Sequence, residues 1–133
     1  MSDPKTVYLK DYRAPAFAIE HVDLRVDIRD DHTLVSSSLS VQRRANTPPD
    51  APLVLNGVNL ELLELAIDGT PVPASDYEIR GEELVIRNLP SNGCAVSSVV
   101  RIDPAANTAL EGLYLSKGMY CTQCEPEGFR KIT

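Results

Sequence analysis

The sequence has no tryptophan, only two phenylalanines and two methionines, and three cysteines among its 133 residues. Each shortage removes a class of function. Few aromatic rings leave few platforms on which nucleobases stack. An odd, small number of cysteines does not build the disulfide framework of a secreted mini-domain. Basic residues are also scarce: 13 Lys and Arg stand against 19 Asp and Glu, for a net charge of −6. No basic cluster exceeds a pair such as Arg43-Arg44, so the electrostatic footprint of a phosphate-backbone binder is missing. No apolar run approaches the roughly 20 residues that a membrane-crossing helix needs. The opening "MSDPKTVYLKDYRAP" is polar, carries Pro4 and Pro15, and lacks the apolar stretch of a secretory signal. These absences predict a cytoplasmic protein with reduced thiols that contacts neither nucleic acid nor membrane.

What is present is a pattern of short strands. The length suits one hydrophobic core. Residues 1–16 read as an irregular lead-in, broken by Pro4 and Pro15. From Phe17 onward Val22, Leu24, Val26 and Ile28 alternate with Asp23, Arg25 and Asp27, the signature of a half-buried strand. After a turn at 29–32, Val35, Leu39 and Val41 alternate with Ser36, Ser38, Ser40 and Gln42, which predicts the return strand of a hairpin. The segment 45–52 is rich in proline, which cannot donate to a ladder, and reads as a loop. A short strand at Leu53–Leu55 ends at the turn dipeptide Asn56-Gly57.

Within 58–67 the apolar parity switches from Val58, Leu60 and Leu62 to Leu63, Leu65 and Ile67, as a β-bulge requires. Leu and Glu are also good helix formers. The shortness of the run and the following Asp68-Gly69 turn favour a strand. Further strands are expected at Tyr77–Arg80, around Leu84–Leu89 and at Cys94–Ile102. Strands this short, separated by frequent turn signals, predict an all-β antiparallel domain of sandwich or barrel-like form over 17–133.

The final thirty or so residues have no clean period, and the motif "MYCTQCEPEGFR" places Cys121 and Cys124 in a Cys-x-x-Cys pair. Without a βαβ unit this is not a thioredoxin-like pair. A structural zinc site needs about four ligands, and only Cys94, His21 and His32 remain to complete one. Residues i and i+3 of an extended segment stand about 10 Å apart, too far for a disulfide. Small thiols packed on a sheet are the plainer reading. Beside them, Gln123 and Glu125 are i and i+2 and would share one side of an extended segment. Pro126 follows, and a cis Glu125-Pro126 bond would re-aim that carboxylate. On these residues alone Glu125 and Glu127 read as solvent-facing, with an ammonium grip by Gln123 and Glu125 as the alternative. No phosphate loop, nucleophile elbow or His-Glu-x-x-His helix occurs.

The segments "DYRAPAFAIEHVDLRVDI" and "NTALEGLYLSKGMYCTQCEPEGFRKIT", with the all-β pattern between them, closely resemble the aminopeptidase N family, in its bacterial alanyl aminopeptidase branch of zinc metallopeptidases. The resemblance implies a saddle-shaped β domain, truncated before the thermolysin-like catalytic domain against which it packs. That catalytic domain is the implied partner, and peptide N-termini, Ala and others, are the implied substrates. By the same resemblance Glu125 holds the substrate α-ammonium with Gln123 in the same subsite. The zinc ligands and general base are expected beyond Thr133, so the isolated chain should bind no metal and be inactive. The tail should also self-associate or be disordered beyond about residue 105, through Tyr114, Leu115, Met119, Tyr120 and Phe129. A stand-alone β-sandwich binding module without catalysis is the alternative.

Overall fold

The protein was analysed as a computed structural model, which describes residues 6, 8–12 and 14–123. Among these, every strand pairing is antiparallel, and the strands fall into three sheets. The largest contains β1 (Phe17–Ile28), β2 (Thr33–Arg43), β8 (Cys94–Ile102), β4 (Glu61–Ile67) and β5 (Thr70–Pro71), side by side in that order. The second contains β3 (Leu53–Asn56), β7 (Glu83–Ile86) and β6 (Tyr77–Arg80). The third is a hairpin of β9 (Gly112–Ser116) and β10 (Met119–Gln123).

The alternation that predicts the first hairpin sets its register. Val26 lies opposite Val35, Val22 opposite Leu39 and Ile19 opposite Val41, so the apolar residues of both strands share one face. Across β2 and β8 the same face carries Val35 opposite Val100 and Leu39 opposite Val96. Between these pairs Ser37 meets Ser98, their hydroxyls 2.8 Å apart, so two polar groups on an apolar face satisfy each other. The parity switch in 58–67 is a bulge: the β4–β8 register shifts between Leu62 and Glu64. A second register shift, between Ile19 and His21, coincides with a parity change from Phe17 and Ile19 to Val22, Leu24 and Val26.

The three-stranded sheet packs over one end of the large sheet. There Phe17, Val41, Leu65 and Val96 are buried against Leu53, Ile86 and Leu89. A smaller cluster of Val35, Ile102 and Leu113 joins the hairpin to the other end. Arg43 stacks 4.6 Å from the Phe17 ring centre and donates to the carbonyls of Pro48 and Ala51, both at 2.9 Å. One side chain thereby holds the proline-rich loop against the core.

Three expectations are corrected. The strand expected around Leu84–Leu89 ends at Ile86, because Asn88 takes φ +59, a left-handed conformation that leaves the pleat. The strand expected over 58–67 begins at Glu61. The apolar residues of β1, read as half-buried, are exposed: Val22 by 49%, Leu24 by 61%, Val26 by 49% and Ile28 by 46%. Among the described residues β1 is an edge strand, and the second sheet does not bury these four residues.

Candidate functional site

The motif-bearing tail is led into by a 3₁₀ turn at Pro104–Ala106, capped by the Asp103 carboxylate, which accepts from the Ala106 N–H at 3.3 Å. Asn107 follows, half-buried. Its side-chain amide donates to the carbonyls of Glu111 at 2.8 Å and Leu113 at 2.9 Å, while its own oxygen accepts from the Ala109 N–H at 3.1 Å. That single side chain closes the loop and sets where β9 starts. Lys117 and Gly118, at φ +50 and +76, then make a two-residue hairpin turn of the kind in which both central residues are left-handed. Ser116 faces Met119 across it, and Gly112 faces Gln123 at the open end.

Two contacts fix this hairpin on the large sheet. Leu113 packs with Val35 and Ile102. The Tyr120 hydroxyl donates to the Arg29 carbonyl at 3.3 Å, beside the β1–β2 turn. The tail, expected to be disordered or self-associating beyond about residue 105, is thus paired strand through Gln123. Its turn was missed because lysine rarely marks such a position. Asn107 was missed as a positioning residue, although it is the first residue of the tail motif. The available signal was Gly118, three residues after Leu115, bracketed by Leu113–Leu115 and Met119–Tyr120.

Strand alternation places Met119, Cys121 and Gln123 on one side of β10, with Tyr120 and Thr122 on the other. Gln123 is exposed at the strand's last position. Glu125, together with Cys124, Pro126, Glu127 and Phe129, lies outside the described residues, so the expected pairing of Gln123 with Glu125 extends beyond them. Of the residues expected to form an apolar tail surface, Met119 and Tyr120 are exposed and Tyr114 and Leu115 are half-buried.

Cys121 is a free thiol that donates to the Met119 carbonyl at 3.6 Å. Cys94 is also free and sits opposite Val41, on another strand of another sheet. Burial, with the Asp68 carboxylate adding to it, pushes its thiol up from the usual value. His21 pairs with Asp23 at 3.3 Å and His32 with Asp31 at 2.6 Å. Among the described residues no three or more His, Cys, Asp or Glu side chains lie together as metal ligands. These residues do not fit a zinc ion.

Comparison with known proteins places the whole chain. No protein-family model matches it. It is similar to aminopeptidase N of Caulobacter vibrioides, 47% identical over 130 residues, which is 98% of this chain and 15% of that protein. It is 43% identical to aminopeptidase N of Escherichia coli over 130 residues, 98% of this chain and 14% of that protein. Among solved structures it resembles Legionella pneumophila aminopeptidase A in complex with aspartic acid, at a TM-score of 0.81 and 29% identity. That likeness covers 92% of this chain and 14% of that one. An M1 zinc metallopeptidase from Deinococcus radiodurans shares the fold at a TM-score of 0.67 and 16% identity, over 86% of this chain and 28% of that one. The all-β antiparallel class expected from the sequence is the fold these proteins share. The chain spans about 15% of the length of the Caulobacter relative.

Proposed function

We propose that this chain, a β domain of the aminopeptidase N kind, serves a zinc-dependent aminopeptidase that removes N-terminal residues, Ala and others, from peptides. In this reading the domain contributes Gln123 and Glu125 to the subsite for the substrate α-amine. Zinc is bound by parts of the full-length protein outside this chain, and the catalytic domain is the chain's partner. The setting is cytoplasmic, in keeping with free thiols at Cys94 and Cys121. No helix among the described residues is long and apolar enough to cross a membrane.

One observation carries the site. The β9–β10 hairpin is anchored at its base by Asn107 and on its inner side by Leu113, and it ends on an exposed Gln123. A pinned strand that projects its last residue outward holds the next residues within a short reach of a fixed point. An exopeptidase must tell a chain end from mid-chain, and the difference is one charged amine. A carboxylate there favours the ammonium and mismatches an internal peptide N–H. Positioning the substrate in this way is a large part of rate acceleration.

The test uses the full-length polypeptide that carries this region. It should cleave an alanyl reporter, lose that activity on chelation and regain it with Zn²⁺. The same reporter with an acetylated amine should be left intact. Equal turnover of the acetylated reporter would overturn the α-amine subsite, and activity indifferent to chelation would overturn the zinc chemistry.

A further inference from the structure

On the reading that a catalytic domain is this chain's partner, we infer that Leu110 is the plug by which the two dock, seated in an apolar socket of that domain. Among the described residues, those other than glycine with a positive φ are Asn46, Asn59, Asp68, Asn88, Leu110 and Lys117. Asn and Asp ease the left-handed conformation with short polar side chains. Lys117 is an exposed hairpin-turn residue. Leu110, at φ +58, is the one bulky apolar side chain of the set. It is 54% exposed, on a loop whose Thr108 and Ala109 are exposed as well. Leucine here carries backbone strain and gains little burial from the described residues, whereas Asn or Gly would relieve the strain.

The loop is built to hold that strain. The Asn107 side chain bonds on both sides of Leu110. Its oxygen accepts from the Ala109 N–H at 3.1 Å, and its amide donates to the carbonyls of Glu111 at 2.8 Å and Leu113 at 2.9 Å. An aliphatic side chain on so constrained a backbone loses little freedom on docking.

Size decides the occupant. A single loop tip is too small to pair two copies, which takes about 800 Å² from each partner. A partner joined covalently needs far less contact, because its effective concentration is high. The Caulobacter relative, of which this chain matches 15%, is long enough to supply one. Two residues beyond Leu110, Gly112 lies opposite Gln123. A plug at Leu110 therefore fixes the open end of the hairpin, where the amine subsite is proposed, against the partner domain.

The first test is Leu110→p-benzoylphenylalanine in the full-length polypeptide. Irradiation should cross-link this photoreactive side chain, within one molecule, to a peptide beyond Thr133 identified by mass spectrometry. A cross-link to a second copy, or none to any residue beyond Thr133, would overturn the inference. The second test turns on sign. If Leu110 merely strained its loop, Leu110→Gly would hold or raise the unfolding midpoint of the full-length protein. An emptied socket should instead lower it by a few degrees, and Leu110→Met, which refills the socket, should lower it less. Lys117→Gly relieves a similar strain without losing an apolar group, and should leave the midpoint unchanged or higher. A midpoint held or raised by Leu110→Gly would overturn the plug, as would an equal fall in Lys117→Gly. Both measurements are made without substrate, so they stand apart from the alanyl-reporter test. A polypeptide that cross-links as expected yet cleaves no reporter would keep the dock and refute the activity.

Discussion

The side-chain amide of Asn107 donates to the Leu113 carbonyl at 2.9 Å, and through it the loop before β9 and the strand itself are one unit. The same amide also reaches the Glu111 carbonyl at 2.8 Å. Asn107→Ala removes both bonds, together with the exposed one accepted from the Ala109 N–H, and should cost about 1–3 kcal/mol, most of it from the two partly buried hydrogen bonds. Asn107→Asp should cost at least as much, because a carboxylate accepts and cannot donate to two carbonyls. Urea unfolding of the two variants beside wild type measures this. If Asn107→Asp were as stable as wild type, Asn107 would be filling space and not bonding.

Two glycines with similar backbone angles should respond differently to alanine. Gly118 at φ +76 has nothing within 4 Å of a new methyl group, whereas at Gly93, φ +87, that methyl would sit 2.8 Å from the Val41 carbonyl oxygen. Gly118→Ala should therefore cost only the left-handed backbone, about 1–2 kcal/mol. Gly93→Ala adds a clash with backbone that cannot rotate away, and should cost clearly more. Thermal melts of both variants check the order, and equal costs would mean that β2 yields at Val41.

Acid should act on Glu78. The Arg87 guanidinium, and Arg80 next to it, hold its carboxyl below the ordinary 4.5. A carboxyl whose folded pKa is lowered contributes stability above its unfolded pKa, and that contribution fades as pH falls through the lowered folded value. Both arginines bond the same Oε1 at a solvent-exposed site, so the effect on stability is small. The titration itself is the readout. By NMR, Arg87→Met should raise the Glu78 midpoint toward 4.5, and Arg80→Met should raise it less. An unchanged midpoint in Arg87→Met would contradict the pairing.

Legibility tracked how local each determinant is. The β1–β2 hairpin and the bulge near Leu62 follow from parity along a few residues, and parity is written in the chain. The exposure of Leu24 is not, because whether its face is covered depends on β3, β6 and β7, strands distant in sequence. The β9–β10 hairpin was obscured for another reason. Leu113, Tyr114 and Leu115 are all apolar, so no alternation marks the strand, and its turn uses Lys117 where Asn or Asp would have announced it. The alignment of Gln123 at the strand end follows from that hidden register. Its proposed role came from family resemblance, since an isolated Gln or Glu carries no signature of its task.

The last prediction concerns that role. If Glu125 pairs with the substrate ammonium, the charge-assisted contact contributes about 1.5–3 kcal/mol. Glu125→Gln keeps the shape and removes the charge, so kcat/KM of the full-length enzyme on an alanyl reporter should fall roughly 10–100-fold. Gln123→Ala should fall less, since an amide offers a neutral hydrogen bond. Glu127→Gln, with no assigned role, should cost little. Zinc content should be the same in all three, which separates loss of substrate grip from loss of metal. Asn107→Ala adds a second arm: by loosening the hairpin base it should weaken kcat/KM through the position of Gln123 and Glu125, yet add little on top of Glu125→Gln. Residues acting through one contact are not additive. If Glu125→Gln turned over as fast as wild type, or Glu127→Gln were the worse of the two, the hairpin would be delivering something other than the ammonium subsite.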